Sequence, residues 1–313
     1  MGFAFAFVLV ALLLMLVFRL VLLMFLLALL LVSSSITFGF ARRVACSFFW
    51  KDGIFVQRKY FFFDYDGTLA VPRTREIPSS TQETIRRLRE NGHFIALATG
   101  RLQINAVDFI SSIGIDNLVA DGGYSVTLAG DLKWMDPLPL EPVKQCLHIL
   151  DDHHIPWAVT TANELVRYSP REDFAEIAGD YYLPTHYDPN LAIESLQTVY
   201  KAYIPCKAED EHKVLETGAL DGVPHVRYNS DTIFIEPMDK QRGIKYLMNL
   251  LDAPIEDVVV FGDGFNDVSM FLPEWTSIAM GNAREVLKER ADYITTDCDA
   301  DGIMNACKHF GWI

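Results

Sequence analysis

Basic residues are scarce in this chain: 27 Lys and Arg stand against 41 Asp and Glu, for a formal net charge of −14. Nucleic acid is thereby set aside as the main partner, because phosphate backbones are held by clustered cations. Cysteine is also scarce. Cys46, Cys146, Cys206, Cys298 and Cys307 are odd in number and show no C-x-x-C spacing, which argues against a disulfide framework, a zinc site or a redox pair and fits reduced thiols. No internal repeat and no low-complexity tract follows residue 60, so repeat architectures drop out. What is left is a globular composition, 50% apolar and 22% charged, over 313 residues. That length allows one large domain with an insertion, or two domains of ordinary size.

One long hydrophobic run stands apart. From Phe3 to Val32 the chain is almost uninterruptedly apolar, with Arg19 its only charge, and roughly 20 such residues span a bilayer core. The run is too long for the apolar region of a secretory signal, and no basic residue precedes it. Arg42, Arg43, Lys51, Arg58 and Lys59 follow it, so an anchor here would leave the remainder in the cytoplasm. Two readings stay open for residues 1–57: a membrane anchor through residues 3–32 with its linker, or translated upstream sequence ahead of a start near Val56.

Beyond residue 58 short apolar runs alternate with amphipathic stretches. Tyr60 to Phe63 reads as a buried strand that delivers Asp64 at its C-terminal end. Ser80-Thr81-Gln82-Glu83 has the form of a capping box, opening a helix with Ile85 and Leu88 inward and Asn91-Gly92 at its close. Strands are expected at Phe94 to Ala98, Leu118 to Ala120, Val258 to Phe261, Ser277 to Met280 and Tyr293 to Thr295, with helices through Ile104, Val107 and Ile110 and from Lys240 to Leu251. This rhythm implies βαβ units and a parallel sheet, an α/β core built from residues 58–138 and 233–313. Residues 139–232 break the rhythm with mixed strands and helices rich in Tyr, His, Asp and Glu, and read as an insertion. Ligands of open α/β sheets bind beyond the carboxyl ends of the strands, where such an insertion forms a lid.

The residues with chemical promise sit at those strand ends. Asp64 and Asp66 are two apart, so strand alternation turns both carboxylates to one side; Gly67 permits a tight exit and Thr68 offers a hydroxyl. Thr99, Gly100 and Arg101 add a hydroxyl, exposed N–H groups and a guanidinium suited to phosphate. Lys240 provides a point charge. Gly262-Asp263-Gly264-Phe265-Asn266-Asp267 supplies a second acidic pair. Carboxylates crowded together repel and raise each other's pKa unless a cation lies among them, and an all-oxygen ligand set selects Mg²⁺ over Zn²⁺. A nucleophile, a proton donor and positive charge are what phosphoryl transfer requires.

In this order the four segments resemble the motifs of the haloacid dehalogenase (HAD) superfamily. The long insertion before Lys240, Met270 after the last motif, Ala279-Met280-Gly281-Asn282-Ala283 and Ala291-Asp292-Tyr293 resemble its Cof-like phosphatases with a type II cap. The resemblance runs from about residue 58 to the end. It implies a Rossmannoid parallel core with an inserted α+β cap, and a Mg²⁺-dependent phosphatase for small phosphomonoesters such as sugar phosphates or phosphorylated cofactors. By position it makes Asp64 the nucleophile and Asp66 the general acid/base. It assigns Mg²⁺ to the Asp64 carboxylate, the Asp66 backbone carbonyl and Asp263, with Asp267 supporting that shell. Phosphate contacts fall to Thr68, Thr99, Gly100, Arg101, Lys240 and Asn266. Two departures are visible: Asp121 stands where many members carry Asn, an extra charge near the mouth or an inert turn residue, and Gln241 replaces the Gly after the motif lysine, leaving Lys245 as its nearest substitute. In the insertion, Arg167, Arg171, Tyr181 and Tyr182 are candidates to touch a leaving group, and His153 and His154 read as surface residues. The rival functions are a phosphomutase or phosphotransferase of the same superfamily, and a membrane-tethered protein that binds a phosphometabolite without turning it over.

Overall fold

The computed structural model describes residues 48–51, 54–179, 183–228 and 231–313. The apolar run of residues 3–32, with its anchor reading, lies outside the described residues, as do Tyr181 and Tyr182. Among the described residues no helix is long and apolar enough to cross a membrane. Phe48–Lys51 (β1) and Ile54–Gln57 (β2) pair antiparallel within a unit of residues 1–57, distinct from a second compact unit of residues 58–313.

The second unit is organised by two sheets. Its larger one takes Tyr60–Phe63 (β3), Phe94–Ala98 (β4), Leu118–Ala120 (β5), Ser125–Leu128 (β6) and Asp131–Met135 (β7) from the first half of the unit. The smaller sheet takes Ala158–Thr160 (β8), Arg167–Ser169 (β9), Thr185–Tyr187 (β10), Lys201–Pro205 (β11), His225–Val226 (β12) and Thr232–Ile235 (β13). The chain then returns to the larger sheet with Val258–Gly262 (β14), Thr276–Ala279 (β15) and Tyr293–Ile294 (β16). The order across the larger sheet is β16-β15-β14-β3-β4-β5-β6-β7, and across the smaller β10-β9-β8-β11-β13-β12. From β16 to β5 all neighbours run parallel; β6 and β7 are added antiparallel. β13 belongs to the smaller sheet, so that sheet continues to Ile235, past the expected change of segment after residue 232.

Burial explains the strand sequences. β3 (YFFF), β4 (FIALA) and β14 (VVVFG) are buried at every position, because helices cover both faces of a parallel sheet and no alternation with polar residues is required. Across the central pair Phe63 and Phe261 meet with ring centroids 4.8 Å apart. The helices of this half are Ser79–Glu90 (α1) and Gln103–Ser112 (α2). In α1, Ile85 and Leu88 are buried as expected, and Asn91 and Gly92, the latter at φ +76°, end the helix. The capping box is not formed: the helix starts at Ser79 after Pro78 without a side-chain cap. Glu83 is drawn to Arg86 instead, and the Gln82 amide donates to the Ile77 carbonyl at 2.9 Å.

The smaller sheet has its own core. Leu140–Asp152 (α3) lays Val143, Cys146, Leu147 and Leu150 against Trp157, Val159, Ala202, Ile204, Ile233 and Ile235. Phe174–Ala178 (α4) and Glu211–Leu215 (α5) are short. Lys240–Leu250 (α6), Glu285–Lys288 (α7) and Gly302–His309 (α8) belong to the second half of the larger sheet. Cys146, Cys206, Cys298 and Cys307 are free and buried.

Candidate active site

The order β14-β3-β4 is what assembles the motifs. β3 and β14 are parallel neighbours with Phe63 opposite Phe261, so Asp64 and Asp263 leave the same edge of the sheet on adjacent strands. β4 lies on the other side of β3 and delivers Thr99, Gly100 and Arg101 to that edge. α6 begins with Lys240 at its first turn. The carboxyl edge thus gathers side chains from four distant stretches of chain, as is usual for an open α/β sheet.

At its centre Lys240, fully buried, donates from Nζ to Asp64 Oδ1 at 2.6 Å and to Asp267 Oδ1 at 2.5 Å. Lys245, by contrast, is half-buried and turns away from these carboxylates, reaching Gln241 and Glu274. The other oxygen of Asp267 accepts the backbone N–H groups of Asp263 at 2.9 Å and Gly264 at 2.8 Å. Asp267 thus ties the lysine to the loop that presents Asp263. Carboxylate oxygens of Asp64, Asp263 and Asp267 lie within 4.8 Å of one another.

This crowding is electrostatically costly. Burial, then the charge of Asp267, push Asp64 well above the usual carboxylate range, with Lys240 opposing. Burial and Asp267 push Asp263 up to about 7, offset in part by the hydroxyl of Thr68. Burial alone would lower the Lys240 ammonium, but Asp267 and Asp64 outweigh it and hold the lysine above its ordinary value. One buried cation facing three converging carboxylates leaves an excess of negative charge, and an oxygen-only cluster of this kind fits a hard divalent cation.

The remaining expected residues divide. Thr68, fully buried, donates its hydroxyl to Asp263 Oδ1 at 3.1 Å, so here it steadies a carboxylate. Asp66 stands apart from the acidic cluster: its carboxylate, about half exposed, is gripped by Arg101 through Nε at 3.1 Å and Nη2 at 2.8 and 2.9 Å. Arg101 also lies over the Tyr65 ring at 5.1 Å. Thr99 is buried and accepts the Arg101 N–H at its hydroxyl oxygen, 3.2 Å away. Asn266 is half-buried in the loop with Asp263 and Asp267. Asp121 is buried, with φ +50°, and accepts the Ser125 hydroxyl at 2.6 Å and the Gln103 N–H at 3.1 Å. It is a turn residue inside the fold and no charge at the mouth.

Gly67 shows how tightly the turn is built. Its φ of +91° suits glycine, and a Cβ there would come within 2.8 Å of Asp263 Oδ1 and closer still to the rest of that carboxylate. Asn282, which had no assigned role in the sequence, donates from Nδ2 to the Gly67 carbonyl at 2.8 Å and lies 3.5 Å from Asp263 Oδ2. Its only sequence signal was its place in the tail motif. In the smaller sheet, Arg167 is buried between the rings of Phe174 and Tyr203 and donates to Thr185 and Gly179. Arg171 pairs with Asp173.

Residues 61–307 match the family model for haloacid dehalogenase-like hydrolases, and the chain belongs to that family. The Cof-like resemblance of its motifs is upheld. YkrA of Bacillus subtilis (strain 168) is 29% identical over 255 residues, 81% of this chain and 98% of that one. Pyridoxal phosphate phosphatase YbhA of Escherichia coli (strain K12) is 27% identical over 256 residues, 77% of this chain and 94% of that one. Among solved structures, a protein of Geobacillus kaustophilus HTA426 is 30% identical with a TM-score of 0.69, covering 82% of this chain and all of that one. The HAD subclass IIB sugar phosphatase BT4131 is 29% identical with a TM-score of 0.67 at the same coverage.

Proposed function

We propose that the protein is a Mg²⁺-dependent phosphatase that hydrolyses small phosphomonoesters by way of an aspartyl phosphate on Asp64. The observation that carries this reading is the convergence of Asp64, Asp263 and Asp267 around Lys240 at the carboxyl edge of the sheet. A protein that only bound a phosphometabolite would have no use for three converging carboxylates beside the anion. Asp64 and Asp263 are the carboxylates for the ion, with the Asp66 backbone carbonyl, while Asp267 holds the loop from behind. When bound, Mg²⁺ supplies positive charge that offsets the approach of one anion to another.

The chain's own groups do the rest. An Asp64 oxygen attacks phosphorus, the bond to the leaving oxygen breaks, and Asp66 gives that oxygen a proton. Water then attacks the same phosphorus while Asp66 takes up its proton, and the Asp64 carboxylate is released with inorganic phosphate. Lys240, Thr99 and the backbone at Gly100 would hold the phosphoryl oxygens, with Arg101 and Asn266 at the margin. Residues 139–232 form the cap, which screens this edge from water and meets the leaving group. Sugar phosphates and phosphorylated cofactors suit a site of this kind, in keeping with the activities named for BT4131 and YbhA.

Phosphate release from a panel of phosphomonoesters, with Mg²⁺ and with a chelator, tests the reading. Release that requires Mg²⁺ and disappears in a folded Asp64→Asn variant is expected; unchanged release in that variant refutes the nucleophile. Release of inorganic phosphate also separates a hydrolase from a phosphomutase, which passes the group to a sugar hydroxyl.

A further inference from the structure

A second buried ion pair lies beside the site, between the two sheets. Lys201 begins β11, Glu236 follows β13, and both side chains are almost wholly buried, at 2% and 0% exposure. Lys201 Nζ pairs with Glu236 Oε2 and also donates to the backbone carbonyl of Gly100 at 2.8 Å. The Tyr228 hydroxyl donates to Glu236 Oε1. A Cβ on Gly100 would come within 2.6 Å of the Tyr228 hydroxyl and 2.7 Å of Glu236 Oε1, so a side chain here would push against the ends of both groups. Burying two charges is repaid only when geometry and further hydrogen bonds are good, and here the added bond goes to the loop that carries Thr99 and Arg101.

The orientation of one peptide gives that bond a consequence. With the Gly100 carbonyl turned to Lys201, the N–H across the same peptide plane, that of Arg101, points the opposite way and donates to Thr99 Oγ1 at 3.2 Å. A hydroxyl oxygen that accepts such a bond keeps its own proton for a different partner. Thr99 is thereby set as a donor toward a phosphoryl oxygen, and Arg101 leaves this peptide with its guanidinium on Asp66. We propose that Lys201 and Glu236 are positioning residues for phosphoryl transfer, acting through the Gly100–Arg101 peptide on Thr99 and Arg101. The inference rests on the phosphatase reading and adds to it a contribution from the smaller sheet.

The test is a double-mutant cycle of Lys201→Met with Thr99→Ala, read in two assays: hydrolysis of p-nitrophenyl phosphate, and calorimetric binding of inorganic phosphate, both with Mg²⁺. Lys201→Met should lower kcat by about 10²-fold, the scale on which an ångström of misplacement acts, and should add little to the loss already caused by Thr99→Ala. The charge-neutral pair Lys201→Met/Glu236→Gln removes the lone buried charge; it should melt near wild type yet keep the kinetic defect. Losses that multiply independently in both assays, or recovery of kcat along with stability in the paired variant, would overturn the proposal and leave a simple clasp between sheets. If the wild type binds phosphate but hydrolyses nothing, the phosphatase reading fails, and the binding cycle alone decides whether Lys201 acts through Thr99.

Discussion

Replacing Lys240 by Met removes the only side-chain cation that the described residues place between Asp64 and Asp267, and leaves most of the aliphatic stem. Both carboxylates are buried, and Nζ lies 2.6 and 2.5 Å from them. Breaking a buried pair by deleting one partner costs about 3–5 kcal/mol, because the other partner stays behind unpaired. For a folded unit of this size each kcal/mol lowers Tm by ~2–4 °C, so a loss on the order of 10 °C is expected near neutral pH. The sign of the pH dependence follows from the carboxylates. Asp64 is already raised above its ordinary value by burial and by Asp267, and without the ammonium it rises further. An acid whose pKa is higher folded than unfolded costs stability as pH climbs above its unfolded value. The deficit of Lys240→Met should therefore be small near pH 4 and widen toward pH 8. Thermal melts of both proteins across that range, in a chelator to exclude divalent ions, measure it directly. A variant that melts with the wild type at every pH would show that Lys240 does not neutralise a buried acidic pair, and the account of the site would fail with it.

Three further outcomes are expected. In chelator the wild-type protein should lose stability as pH rises from about 4 to about 7, the interval between the ordinary carboxylate value and that of Asp263; added Mg²⁺ should stabilise it more at pH 7.5 than at pH 5, which melts with and without the ion will read. Gly67→Ala should cut phosphate release and Mg²⁺ response together, since the new methyl displaces Asp263 and the positive φ adds roughly 1–2 kcal/mol of strain; full activity at ordinary Mg²⁺ would contradict the packing described. Arg101→Lys keeps the charge but loses the two-pronged grip on Asp66, so kcat should fall by roughly tenfold, and a variant kinetically equal to wild type would show that the grip is idle.

Much of the larger sheet was legible in the chain. Strands such as Phe94–Ala98 and Leu118–Ala120 end where expected, because buried parallel strands are short continuous apolar runs and their exits carry the polar motif residues. The helix start at Ser79 was misjudged: a capping box is a local competition, and Glu83 found a better partner in Arg86 on the next turn. The hydrogen bond from Thr68 to Asp263 was not foreseen, since the two lie 195 residues apart. Asp121 was left open between a charge near the mouth and an inert turn residue, and its burial selects the turn. Asn282 was passed over because its two neighbours at the site, Gly67 and Asp263, are far from it in sequence. Arg167 was a candidate to touch a leaving group, and the fold encloses it between Phe174 and Tyr203.

By itself the chain determined which chemistry was on hand: two acidic pairs, two threonines and an arginine at the exits of apolar runs, because a strand must bury its apolar residues and expose its polar exit, and a lysine at the start of a helix. Which of those groups touch was decided only when β3 and β14 became neighbours. That choice set Lys240 between Asp64 and Asp267, while the pairing of β3 with β4 brought Arg101 onto Asp66. The tie from Lys201 to Gly100 spans 101 residues and joins two sheets; no local pattern encodes it, since a buried lysine and an exposed one are the same letter until packing removes the water.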